Sequence, residues 1–395
     1  MRNIFIILMK TIFKVQWCIN MKICMVLEFF IPHYNGGGEH RYHELAKRLV
    51  QHGHTVDLLT MKILNIPNYE NVDGINVYHI GPNIKKAPYR SATDFIQYFF
   101  AVIHWLLKHD YDIIDAQAYS PLLSAKIASW IKKTPLIGTI YDTSSSSNDQ
   151  WIQSSVIANI FEKFLVKLNF DKILTISQAT KNSLINDFGV DSNKIFLLYI
   201  GVDISKYDKI TVNQEIKNQV IFVGRLIPHK HVDHLIKSIS ILKENIPDIK
   251  LVIVGKGEEK GKLINMVKHY HLENNVIFKQ NLSDEILISE IKKSELLVLP
   301  STREGFGMVL AEANCCNKPV ITYASGGTVD VVINDFNGFL VKPNDIDSLT
   351  NKIYEILKNK DLKEKLGQNG RQKVEQDFDW KKIVNEYSKL LKQLQ

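Results

Sequence analysis

The feature that most constrains this chain is a rhythm that runs through once and then starts again. From Met21, short apolar runs alternate with segments of helical periodicity. "KICMVLEFF", "HTVDLLT", "INVYHI", "YDIIDAQ", "PLIGTI", "DKILTIS" and "KIFLLYIG" read as strands. Between the first two, "EHRYHELAKRLVQHG" sets Tyr42, Leu45, Ala46 and Leu49 on one helical stripe, which Gly53 ends. The pattern restarts at Gln219 with "QVIFVG" and continues through "IKLVIVG", "NVIFK", "ELLVLPS", "PVITYAS" and "GFLVKP". Strands this continuously apolar, joined by helices, belong to parallel sheets covered on both faces. The expected fold class is α/β, with two facing doubly wound Rossmann-like domains.

A chain of 395 residues has the length for two such cores. The expected division is an N-terminal extension over 1–20, a first domain over 21–207, a second over 208–375, and a C-terminal helix over 376–395 that packs back on the first domain. The polar stretch "VDISKYDKITVNQEIKN" suits a linker near Asp208. In "DWKKIVNEYSKLLKQL", Trp380, Ile383, Tyr387 and Leu390 or Leu391 share one side. The first twenty residues are apolar but interrupted by Lys10 and Lys14, short of the ~20 clean apolar residues a spanning helix needs. No small-residue cleavage site follows them, so they read as an extension that adds nothing to the core, or as a weak membrane anchor.

The net charge of +7 is spread among interspersed lysines and acids, with no compact basic stripe for nucleic acid. It suits an anionic small molecule or an anionic membrane surface equally. Cys18, Cys24, Cys315 and Cys316 form no C-x-x-C pair, which suggests neither a zinc site nor a disulfide framework and fits a reducing, cytoplasmic compartment. Cys315 and Cys316 read as buried small apolar groups. "IKKAPYRSATDFIQYFFAVIHWLLKHD" joins Lys85, Lys86 and Arg90 to an apolar helix with Phe95, Phe99, Val102, Ile103 and Leu106 on one face. Tyr98, Ala101 and Trp105 keep another face from being polar, so a core helix and a membrane-docking helix both remain open.

Doubly wound sheets bind ligands at the carboxyl ends of their strands, so the loops there matter most. "NGGGEH" places Gly37 and Gly38 before the first helix, as a tight turn or an anion site. It is not a dinucleotide fingerprint, because the third glycine would fall at Arg41. "VGRLIPHKH" offers Arg225 and Lys230 as balancing charges for a diphosphate, or as two solvated loop cations. "STREGFGMVLAEANCC" puts Glu304 before a glycine turn and Glu312 inside the helix that follows. The helix start between them offers free N–H groups and a partial positive charge. "YASGGTVDVV" repeats the arrangement at Gly326 and Gly327 as a second candidate anion nest. His40, His43, His52 and His54 read as surface residues. His229 and His231 flank Lys230, where solvation is the plainer reading.

"GRLIPHK", "EGFGMVLAE" and "GGTVDVV", in this order, resemble the retaining family-4 glycosyltransferases, and "ISQATKNSL", "YIGVDISKY" and "NGFLVKPND" extend the likeness. It is strong in the second half; in the first it rests on layout and the glycine loop. The resemblance implies a GT-B fold and a metal-independent enzyme without cofactor. Its donor would be a UDP- or GDP-sugar, its acceptor a glycan, lipid-linked or small-molecule hydroxyl, and its setting the cytoplasm, including the cytoplasmic face of a membrane. It implies that Arg225 and Lys230 bind the leaving diphosphate, Glu304 the transferred sugar and Glu312 the ribose. Backbone near Gly307, Met308 and Val309 would cradle phosphate, with Gly37 and Gly38 closing from the other domain. Tyr141 and Gln117 stand where many relatives carry histidines, Ile200 replaces a usual asparagine, and "FKQNLSD" lacks a frequent glycine. These departures suggest a different sugar or acceptor geometry, or else lost activity; Tyr141 can still donate a hydrogen bond, and the whole phosphate-binding set remains. A nucleotide-sugar epimerase of the same fold and a non-catalytic nucleotide-sugar-binding module are the alternatives.

Overall fold

The computed structural model describes residues 20–34, 36–117, 119–145 and 156–395. The expectations for the N-terminal extension and for Asn35 lie outside the described residues, apart from Asn20.

Each of the two apolar rhythms builds one sheet. The first comprises β1 (Lys22–Val26), β2 (Thr55–Ile63), β3 (Tyr69–Val72), β4 (Ile75–Ile84), β5 (Ile113–Gln117), β6 (Leu136–Thr139), β7 (Lys172–Thr175) and β8 (Ile195–Leu197), in the order β3-β4-β2-β1-β5-β6-β7-β8. The second comprises β9 (Gln219–Val223), β10 (Lys250–Val254), β11 (Val276–Lys279), β12 (Leu296–Leu299), β13 (Val320–Tyr323) and β14 (Gly338–Val341), in the order β11-β10-β9-β12-β13-β14. Strand order reverses beside β1 and beside β9, the switch points where such sheets take ligands.

The chain divides into two compact units. One runs to Thr139 and includes Leu168–Ile173 and Tyr387–Gln395; the other holds Ile140–Lys167 and Leu174–Glu386. The stretch expected to be a linker is tied down by charge. Asp208 accepts a forked pair of bonds from Arg371 at 2.6 and 2.9 Å, and Glu215 pairs with Lys318 and Lys363.

β1, β2, β4, β5 and β6 pair in parallel among themselves, as do β9 to β14, whereas β3–β4 is antiparallel. This hairpin was not anticipated. Its turn is Asp73-Gly74, both at positive φ (52° and 87°), the two-residue turn whose twist matches flanking antiparallel strands. In the first unit, the fully buried Asp115 of β5 accepts hydrogen bonds from Tyr42, from Thr139 at 2.8 Å and from Tyr387 at 2.6 Å. Tyr387 thus fixes the end of the C-terminal helix Trp380–Gln393 to this unit. That helix buries Trp380, Ile383, Tyr387, Leu390 and Leu391 as its spacing predicts, and Val384 with them.

Two expectations need correction. The helix Ala92–Lys108 is started by a reciprocal Ser91/Asp94 cap, and its buried line is Tyr98, Val102 and Leu106. Phe95, Phe99 and Ile103 are only half-buried, because the Tyr98 hydroxyl reaches in to the Leu27 carbonyl at 2.5 Å and sets the helix rotation. His43 is not a surface residue: it is buried, with Nε2 2.9 Å from Asp73 of the hairpin turn and its ring against Phe30. No helix among the described residues is long and apolar enough to cross a membrane.

Candidate functional site

In the second unit, two loops at strand carboxyl ends are bound to each other. After β9, Pro228 opens a single 3-10 turn, Pro228–Lys230, and His231 leaves it in the left-handed region at φ 46°. A non-glycine residue is strained there, and its partners hold it: Nε2 lies 3.0 Å from the Thr302 hydroxyl and its ring stacks on His234. The His229 carbonyl accepts from the Thr302 amide at 3.0 Å and the Ser301 hydroxyl at 3.2 Å. With the turn fixed against the loop after β12, the Lys230 ammonium forms a direct ion pair with Glu304. Their side chains are only 12% and 13% exposed. The sequence reading sent these two residues to different parts of a donor; the structure pairs them with each other.

The surrounding field is positive. Arg225 is exposed just after β9, and half-buried Arg303 has Nη2 3.8 Å from Asp142. His229 reports their sum. Burial, then Lys230, Arg303 and Arg225, push its pKa down to about 4, so it is neutral at pH 7. Arg303 was not among the anticipated site residues. Its only sequence signal is adjacency to Glu304 in "TREG".

Beyond Glu304, the loop turns through Gly305 and Phe306. Phe306 is buried edge-on against Phe378, at 5.3 Å between centroids, and so anchors the turn. Gly307 then caps the helix Met308–Cys315 at φ 89°, a conformation that favours glycine. No side chain caps this helix start, so the Met308 and Val309 amides keep the donor capacity and partial positive charge of an open N-terminus. These are the amides that the expected phosphate cradle would use.

Gly326 and Gly327 serve a different purpose from the one expected. A Cβ on Gly326 would lie 2.2 Å from the Glu304 carbonyl oxygen, and one on Gly327 2.1 Å from that of Gly305. The Gly327 amide donates to the Glu304 carbonyl at 2.9 Å, and the helix that follows, Thr328–Val331, has four residues. These glycines let one loop press on another, and the Gly327 amide is already engaged, so the second anion nest does not form through it. Asp330 of this segment instead accepts from the Gln178 amide at 2.7 Å.

Glu312 lies beyond the helix start and accepts from the Tyr207 hydroxyl; burial raises its pKa. Tyr141 is half-buried, and its carbonyl oxygen lies 3.8 Å from where a Gly305 Cβ would be, beside the Glu304 loop. Gly37 and Gly38 open the helix Gly37–Gln51 of the first unit, behind the extended Gly36, again with no side-chain cap.

Residues 203–373 match the family Glycosyl transferases group 1, and residues 35–206 match Glycosyltransferase Family 4. An uncharacterized glycosyltransferase of Methanocaldococcus jannaschii is 28% identical over 95% of this chain and 99% of its own length. The capsular polysaccharide biosynthesis glycosyltransferase CapM of Staphylococcus aureus is 30% identical over 56% of this chain and 62% of its own length. Among solved structures, Anabaena HepE in complex with UDP-glucose superposes with a TM-score of 0.77 at 22% identity, covering 95% of this chain and all (100%) of that one. With one family matched to each half and the same two-sheet architecture in a solved relative, the chain is a glycosyltransferase of group 1, family 4, built on the GT-B fold of two Rossmann-like domains.

Proposed function

We infer that the enzyme transfers a sugar from a nucleoside diphosphate to an acceptor hydroxyl, with retention of anomeric configuration. The observation that carries this reading is the Lys230–Glu304 pair at the open start of the helix Met308–Cys315. An ammonium, a carboxylate and uncapped amides within one loop cluster meet the two demands of such a donor, charge balance at phosphate and acceptors for sugar hydroxyls. Lys230 and Arg225 bind the diphosphate and stabilise the charge it gains as it leaves. Arg303 adds to the same field. Glu304 accepts from the sugar hydroxyls, Glu312 from the ribose, and Tyr141 donates near the sugar.

The bond from the anomeric carbon to the phosphate oxygen breaks, and the acceptor oxygen bonds to the same face. The acceptor proton passes to the leaving phosphate. The cations fill the role of a divalent ion, so the transfer step itself runs without metal or cofactor. The complex of HepE with UDP-glucose favours a UDP-sugar over a GDP-sugar, and the likeness to CapM favours a growing polysaccharide as acceptor. Buried, unpaired Cys24, Cys315 and Cys316 suit a reducing cytoplasm. Ile96, Phe100 and Leu107 stand exposed along the helix Ala92–Lys108, beyond exposed Lys85, Lys86 and Arg90, a combination that favours contact with an anionic membrane.

Incubation with a panel of UDP- and GDP-sugars tests the reading. One donor is expected to raise the melting temperature and to release nucleotide by transfer or slow hydrolysis, with the product's anomeric configuration read by NMR. A donor returned as its epimer would identify an epimerase. Donor bound and returned unchanged, with every acceptor tried, would identify a binding module.

A further inference from the structure

We propose that His33, Glu70 and His79 of the first unit form a binding site for one divalent transition-metal ion of the zinc type. The three residues are distant in sequence and belong to none of the motifs used above. The hairpin turn at Asp73-Gly74 sets the register Glu70↔Val77, so Glu70 and His79 are diagonal neighbours across β3 and β4. The loop after β1 brings His33 to the same place. Glu70 Oε1 lies 2.7 Å from His33 Nε2 and 2.8 Å from His79 Nε2, and the two rings meet edge to face at 5.6 Å.

Two imidazole nitrogens converging on one carboxylate oxygen is the arrangement expected of a three-ligand site before its ion arrives. All three ligand atoms lie within 4.8 Å of one another. Tetrahedral zinc with bonds of about 2.0–2.1 Å holds its ligand atoms about 3.3 Å apart, so each Glu70–His distance needs to lengthen by only about half an ångström. His79 is 4% exposed, and its Nδ1 is buried without a hydrogen-bond partner. Among the described residues the ring's hydrogen-bond partner is Glu70, through Nε2.

The donor chemistry selects the ion. Glu70 is the one carboxylate in the cluster. A site so poor in negative charge does not suit calcium or magnesium, which take oxygen ligands, whereas zinc is held by neutral imidazole nitrogen. His33 and Glu70 are 25% and 23% exposed, which leaves a way in and room for water as the fourth ligand. The bound ion would tie the loop after β1 to the β3–β4 hairpin. A second cluster, His231, Asp233 and His234, lacks this convergence. Its rings are stacked, and His231 and His234 already face Thr302 and Tyr323.

The test uses the full chain without a histidine tag, stripped with chelator and titrated with Zn²⁺ against a chromophoric competitor. One equivalent should bind, and Co²⁺ should give the visible bands of tetrahedral coordination. His33→Ala and Glu70→Gln, each at a partly exposed position, should weaken binding by more than the roughly 10–100-fold that loss of an outer-shell contact can cost, with the circular dichroism spectrum unchanged. His231→Ala should bind as the wild type does. Absence of a stoichiometric site, or equal affinity in His33→Ala and the wild type, would overturn the proposal.

Discussion

Replacing Glu304 by glutamine keeps the side chain's shape and removes the charge facing Lys230. Without donor, that ammonium is neutralised by Glu304 in a largely buried setting. An incoming diphosphate therefore competes with the carboxylate for the same cation, and is itself repelled by it. A hydrogen bond to a charged group is worth about 1.5–3 kcal/mol net, against about 1 for a neutral one. Removing the competitor should return a difference of about 1–2 kcal/mol to the ligand, or roughly 5–30-fold tighter binding of free UDP. The transferred sugar loses its charged acceptor in the same variant, so transfer should fall by roughly 10–150-fold. Lys230→Ala moves both quantities downward, with UDP weakened by a similar factor. Calorimetry with UDP and a transfer assay on the same preparations read the two numbers. If Glu304→Gln weakens UDP as Lys230→Ala does, the carboxylate orients the lysine for phosphate rather than competing with it, and the division of labour proposed here is wrong.

The pKa of His229 is depressed in the fold from its ordinary 6.5 to about 4, so the unfolded chain binds more protons between these values. Stability from this group is whole above pH 6.5 and is lost as pH falls toward 4; melting temperature should drop over that range less steeply in His229→Gln, and parallel slopes would count against the cationic field. Gly327→Ala sets a Cβ 2.1 Å from the Gly305 carbonyl oxygen, and overpacking of this kind costs about 1–3 kcal/mol. Gly261→Ala, in a helix with nothing within 4 Å of the new methyl, should gain about 0.5–1 kcal/mol instead, so equal urea midpoints would refute the packing role of Gly327. Phe100→Glu should abolish sedimentation with phosphatidylglycerol vesicles while leaving the melting temperature within a degree or two; undiminished sedimentation would remove this helix face from membrane contact.

Strand positions were legible because a strand covered on both faces must be apolar throughout. Each of the thirteen segments read as strands overlaps one of the fourteen observed, although β2 and β4 run three and four residues past theirs. The missing one, β3, is "YENV", whose polar residues mark an edge strand outside the covered core. Its signal lies in the neighbouring Asp73-Gly74, the dipeptide favoured in two-residue hairpins, and the same turn brings Glu70 to His79. Helix rotation was less legible. Phe95, Phe99 and Val102 fit one stripe as well as Tyr98, Val102 and Leu106 do, and what decides between them is the Leu27 carbonyl, a backbone acceptor far away in sequence.

The candidate site divides along the same line. Alternation of strands and helices fixes which loops stand at the carboxyl ends, so the sequence alone assigns Arg225, Lys230, Glu304 and the Gly307 turn to the loops after β9 and β12. It carries no information on which loop leans on which. Gly326 and Gly327 look like a phosphate-binding pair because glycine beside a helix start has that use, yet here the absent Cβ atoms make room for the carbonyls of Glu304 and Gly305. Lys230 and Glu304, 74 residues apart, look like independent donor ligands until the His229 carbonyl fastens one loop to the other and makes them counterions. A residue's chemistry is thus readable from its type and its loop, whereas its charge state and competitor are properties of the partner loop. Single substitutions here should therefore couple: the Lys230/Glu304 double variant should bind UDP with an affinity that departs from the sum of the single effects by more than the roughly 0.5 kcal/mol expected of independent sites.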